Sequence, residues 1–156
     1  MDKFVIKGGN PLKGEITAGG SKNSALGILS AALMAKGVYV FENVPDIEDV
    51  QILLDIFESL GAFCERTGSR VVINSESVNK HYVETEDAVK MRASYYLMGA
   101  FLGRFKAVSI PFPGGCAIGS RPIDQHLKGF RVLGAQVTET PDKSRITATA
   151  GTLVGK

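Results

Sequence analysis

Three stretches of this chain place a charged or nucleophilic side chain on backbone that can approach a ligand closely. In TAGGSKNSAL a glycine pair runs straight into a helix that Ser21 or Asn23 would cap, with Lys22 in its first turn. An ammonium is disfavoured there, because the aligned peptide dipoles already place about half a positive charge at a helix N-terminus. A bound anion reverses the balance: free N–H groups, the dipole and Lys22 would together hold a phosphate or a carboxylate. A solvated loop lysine is the plainer reading, and the spacing is not that of a Walker A loop, which needs GxxxxGK followed by Ser or Thr.

The second stretch is PFPGGCAIGSRPIDQH, where Cys116 lies in a loop too rich in glycine for a packed core. A buried structural cysteine is the ordinary alternative. Here Arg121 and a helix starting at Pro122 would both stabilise a thiolate or a bound anion. Cys64, in the expected strand AFCERTG, has no such neighbours and reads as structural. The third stretch, AVKMRASYYLMGAFLG, has a buried helical face in Leu97, Met98, Phe101 and Leu102, with Arg92 as either a ligand contact or a solvated or paired arginine. Of the two histidines, His81 falls in a polar linker; His126, in the first turn after Arg121, suits a site, a cap or a surface position equally.

The elements that must carry these side chains repeat. Val38 to Phe41 reads as a strand; Asp46 and Asp49 look like the cap and capping-box residues of a helix whose apolar face is Val50, Leu53, Leu54, Phe57 and Leu60; Gly61 stops it. Two strands about Thr67-Gly68-Ser69 then form a hairpin. Leu60-Gly61-Ala62 returns about 70 residues later as Leu133-Gly134-Ala135, a period too long for the common solenoids. Around it KAVSIPFP is a strand, PIDQHLKGFRVLG a helix and AQVTETPDKSRITATA a hairpin. Each copy opens with a further helix, Ser21 to Ala35 and about Val89 to Gly103, and a strand from Gly14 to Thr17 completes a βαβαββ unit. The expected fold is a pseudo-symmetric α/β domain.

Composition narrows the function. Apolar residues make up 44% and charged residues 22%, the profile of a folded globular chain. With 18 basic and 16 acidic side chains the formal charge is +2, and there is no basic run to track a phosphate backbone, so nucleic acid is not an expected partner. The most apolar stretch, Ala25 to Ala35, is about half the roughly 20 residues that span a bilayer, which suggests a soluble, cytoplasmic protein. The two cysteines form no metal spacing, and a thiol is expected at each.

SKNSAL from Ser21, MRAS from Met91 and PGGCAIGSRPIDQH from Pro113 resemble the successive signatures of the UDP-N-acetylglucosamine enolpyruvyl transferases. The sister family, 3-phosphoshikimate 1-carboxyvinyltransferase, shares the lysine-bearing helix but not the cysteine loop. The resemblance implies an inside-out α/β barrel of two domains, each of three βαβαββ units. Residues 18–78 and 79–156 would be two such units, and residues 1–17 a strand segment that packs on the second domain. A third unit and the second domain would lie outside these residues, leaving little activity to the chain alone.

The resemblance also implies roles. Phosphoenolpyruvate and UDP-N-acetylglucosamine would be the substrates, with neither metal nor organic cofactor. Lys22 and Arg121 would neutralise phosphoenolpyruvate and the departing phosphate, and Cys116 would be the loop thiol, acting as general acid, forming a covalent adduct and marking the site of alkylation by fosfomycin. Asn23 would contact the sugar nucleotide. Arg92 would support the phosphoenolpyruvate end, and Tyr96 would stand where many relatives carry tryptophan. Arg121, Pro122, Ile123, Asp124, Gln125 and His126 would form the uridine side. The base toward the sugar hydroxyl would come from the second domain. Two alternatives to this reading are a non-catalytic half-enzyme that keeps the sugar-nucleotide surface, and self-association through a face that the missing units would cover.

Overall fold

The computed structural model describes residues 3–84, 91–112 and 122–155, apart from the side chain of residue 92. Cys116 and Arg121, and the start of the second copy's first helix, lie outside the described residues.

Two units of the same plan follow one another. The first contains α1 (Lys22–Ala31), β1 (Val38–Phe41), α2 (Glu48–Ser59), β2 (Phe63–Thr67) and β3 (Arg70–Asn74). In the second, a single 3-10 turn (Arg92–Tyr95) leads into α3 (Tyr96–Phe105), followed by β4 (Ala107–Pro111), α4 (Asp124–Val132), β5 (Gln136–Glu139) and β6 (Arg145–Thr149). Each sheet has three antiparallel strands with the last in the middle: β1-β3-β2 and β4-β6-β5. The expected repeat is therefore present in topology as well as in sequence.

Alternation along the strands sets the inside from the outside. Tyr39 and Phe41 pack on the core, while Val38 and Val40 face outward. α1 packs against both α2 and α3, so the helices form the inner layer, and Leu29, Leu33, Phe57, Leu97 and Phe101 meet in one continuous core.

Both α2 and α4 end in the same hydrogen-bonded pattern. Ala62 N–H bonds to the Phe57 carbonyl and Gly61 N–H to Glu58; Ala135 N–H bonds to Phe130 and Gly134 N–H to Arg131. This Schellman closure needs a left-handed residue, supplied by Gly61 at φ 97° and Gly134 at φ 99°.

Several expectations are corrected. Gly14 to Thr17 forms no strand; residues 3–20 carry no regular structure, and Phe4, Ile6, Leu12 and Ile16 are exposed. An isolated apolar strand has no ladder to join, and burial is what favours one. In the second unit the matching segment does pair, through a parallel bridge of Tyr82 to Ser109 beside β4. α1 ends at Ala31 instead of Ala35. Asp46 and Asp49 are not the caps of α2: the helix begins at Glu48 after Ile47, with no side-chain cap, and both carboxylates bond elsewhere. Likewise α4 begins at Asp124 and not at Pro122.

Candidate functional site

The N-terminus of α1 is held by its neighbours. Gly20 approaches the backbone of Asn43 so closely that a β-carbon would collide with the Asn43 carbonyl oxygen. Ser21 occupies the N-cap position, but its hydroxyl makes no capping bond. An open groove of about 270 Å³ lies alongside, lined by Gly20, Ser21, Ser24, Ala25, Phe41 and Asn43 among others.

Lys22 does not face the dipole of α1 alone. Its Nζ donates to Asp49 Oδ2 across the two helix starts. Asp49, together with Glu48, stands in the first turn of α2, where a negative charge is favoured by the peptide dipoles. One carboxylate therefore serves a helix terminus and the lysine that the other terminus disfavours. Asn23, beside Lys22, is exposed. The arrangement offers a cation with N–H groups at a helix start, and an anion competing for Lys22 would meet Asp49 first.

A second group forms around the start of α4. The rings of Tyr95 and Tyr96 lie 4.6 Å apart between centroids, and Tyr95 lies 4.7 Å from the imidazole of His126. Tyr96 and His126 are thus brought together through Tyr95, which sequence reasoning passed over. Asp124 and Gln125 are exposed and joined to each other, Gln125 Nε2 donating to Asp124 Oδ2 at 3.0 Å. Pro122 is exposed, whereas Ile123 is buried in the core, so a ligand at this end would meet the backbone of Ile123 and not its side chain. Arg92 opens the 3-10 turn that carries Tyr95. Two residues later, fully buried Ser94 has a hydroxyl without a hydrogen-bond partner among the described residues.

Cys64 stands where a structural thiol should. It is half-buried, and burial, followed by the charges of Glu58 and Asp55, pushes its pKa up to about 12. It is poorly suited to act as a nucleophile.

The other residue missed by sequence reasoning is Arg104. Its guanidinium donates to the carbonyls of Leu33, Ala35, Ser75 and Val78, binding the exit of α1 to the end of β3. Burial lowers its pKa. Nothing in the local pattern FLGRF signals so distant a set of acceptors; only the packing of α3 against α1 brings them within reach.

Comparison with known proteins follows the same outline. The family model described as EPSP synthase (3-phosphoshikimate 1-carboxyvinyltransferase) matches residues 6–152. A UDP-N-acetylglucosamine 1-carboxyvinyltransferase 2 from Clostridium acetobutylicum is 54% identical over 138 residues, covering 88% of the chain and 33% of the relative. A UDP-N-acetylglucosamine 1-carboxyvinyltransferase from Clostridium botulinum is 52% identical over 139 residues, with the same coverage. Among solved structures, the enolpyruvyl transferase NikO from Streptomyces tendae aligns at a TM-score of 0.77 and 24% identity, over 94% of this chain and 32% of that one. EPSP synthase from Acinetobacter baumannii aligns at 0.62 and 22%, over 92% and 34%. The chain spans about a third of the length of the relatives it matches.

Proposed function

Because the chain belongs to the EPSP synthase family of enolpyruvyl transferases, we propose that it contributes one wall of an active site that transfers the enolpyruvyl group of phosphoenolpyruvate to the 3-hydroxyl of UDP-N-acetylglucosamine. The observation that carries this reading is the similarity to relatives bearing the name of that activity, continuous through both units. In the cell the reaction would be the first committed step of peptidoglycan synthesis, carried out in the cytoplasm.

The chemistry needs a proton on the methylene carbon of phosphoenolpyruvate and attack of the sugar oxygen on C2. Phosphate then leaves from the tetrahedral adduct and a methyl proton is lost, restoring the double bond. Lys22 and Arg121 act on the charge of phosphoenolpyruvate and of the leaving phosphate, an electrostatic role strongest in a cleft closed to water. Cys116 supplies the proton as general acid and forms a covalent adduct with phosphoenolpyruvate. Asn23 meets the sugar nucleotide, Arg92 supports the phosphoenolpyruvate end and Tyr96 offers an apolar face. The backbone about Pro122 and Ile123, with Asp124, Gln125 and His126, holds the uridine side. What the relatives have beyond this third of their length would complete the cleft, including the base toward the hydroxyl.

The test is phosphate release from phosphoenolpyruvate by a protein of the relatives' full length, with and without UDP-N-acetylglucosamine. Turnover only with the sugar nucleotide supports the proposal. The description of the matching family model favours a second reading, transfer to shikimate 3-phosphate; strict dependence on that acceptor would replace the first. The 156-residue chain alone should release little phosphate with either acceptor.

A further inference from the structure

Tyr95 is the middle ring of a cluster of tilted rings that joins two segments distant in sequence. On one side is Tyr96, 4.6 Å away at 42°, and on the other His126, 4.7 Å away at 55°. The outer rings are exposed while Tyr95 is half-buried, in a turn anchored by buried Met91 and buried Ser94. An exposed histidine in the first turn of a helix ordinarily samples several rotamers, and a ring packed 4.7 Å from the imidazole disfavours those that would move it away. Tyr95 also follows Arg92 on the same turn. It therefore links the turn assigned to the phosphoenolpyruvate end with the helix start assigned to the uridine side.

We infer that Tyr95 is a positioning residue: its ring holds the imidazole of His126 in the orientation that meets the uridine part of the sugar nucleotide. The inference rests on the uridine assignment proposed above. It adds a residue that acts through His126.

The experiment uses the 156-residue chain and uridine diphosphate as the probe. The carbon-bound imidazole protons of His126 are followed by NMR, and affinity is measured by titration. In the unsubstituted chain these protons should carry a ring-current shift from the neighbouring Tyr95 ring and should move on adding uridine diphosphate. Tyr95→Ile should abolish the ring-current shift and weaken affinity roughly 2- to 10-fold, the range an aromatic pair of this kind supports. Tyr95→Phe, which keeps the ring, should retain both, and its amide spectrum guards against a fold defect in the isoleucine variant. In a His126→Ala background, Tyr95→Ile should cost nothing further. An equal loss in that background would overturn the inference, as would loss of both signals in Tyr95→Phe. Binding to Tyr95→Ile as tight as to the unsubstituted chain would overturn it too, leaving the uridine assignment intact. If the ring-current signature is present but uridine diphosphate moves nothing in the unsubstituted chain, the assignment itself fails and takes the inference with it.

Discussion

Lys22 Nζ lies 2.5 Å from Asp49 Oδ2, tying the first turn of α1 to the first turn of α2. The side chains are 54% and 37% exposed, so the pair is screened and contributes at most about 1 kcal/mol to stability. Asp49→Asn should therefore shift the urea midpoint little while releasing Lys22 to an incoming anion. Phosphoenolpyruvate should bind this variant more tightly than the unsubstituted chain at low ionic strength, and Lys22→Gln more weakly than either. Calorimetric titration checks the order; identical affinities in all three would remove Lys22 from the site.

Gly20 is required sterically. Because the obstacle is the Asn43 backbone and not a flexible side chain, Gly20→Ala can be accommodated only by shifting the chain that enters α1. Overpacking of this kind costs about 1–3 kcal/mol. Urea unfolding should show the loss, and the Lys22 to Asp49 contact should weaken with it. A variant as stable as the unsubstituted chain would mean that the entry segment moves freely.

Arg104 is worth more than its partial exposure suggests, because one guanidinium donates to four carbonyls from two segments distant in sequence. Arg104→Met keeps the aliphatic stem but takes this donor from the Leu33 and Val78 carbonyls, while Ala35 and Ser75 keep other donors, at a cost of about 1.5–3 kcal/mol. Arg104→Lys should recover only part of this, since an ammonium lacks the planar fork. Thermal unfolding of both variants gives the comparison, and equal melting temperatures would show that water replaces the guanidinium.

The thiols should differ in reactivity. Burial and two carboxylates move the Cys64 pKa from 9.0 to about 12, so at neutral pH it stays protonated in the folded chain. Iodoacetamide at pH 7.5 should label Cys116 well before Cys64: Cys116→Ala should nearly abolish early labelling and Cys64→Ala should not. The shift also links to stability. The folded chain binds this proton more tightly than the unfolded one, so the contribution is complete below about pH 9 and fades as the pH rises toward 12. Cys64→Ala should flatten that part of the pH profile.

Much of the fold was legible because the sequence repeats its punctuation. Gly61 and Gly134 end helices for a reason visible in sequence, and β1, α2 and both hairpins fall close to where alternation and helical spacing put them. Legibility failed where one side chain had two possible partners. Asp49 fits a capping box by spacing, yet its carboxylate turns to Lys22, a contact that exists only once α1 and α2 have packed. The contact of Tyr95 with His126 joins segments far apart in sequence and exists only once the start of α4 has packed beside the 3-10 turn, so no local pattern signals it. The segment from Gly14 to Thr17 has strand composition without a ladder, because pairing depends on a neighbouring edge as well as on local preference.

The position of β3 between β1 and β2, and of β6 between β4 and β5, bears on biosynthesis. During synthesis on the ribosome, β1 and β2 emerge as ribbons that cannot pair until Arg70–Asn74 has cleared the exit tunnel and slotted between them. Each unit thus locks on its own last-made segment, and the nascent chain would be expected to gain order in two steps, one as each closing hairpin appears.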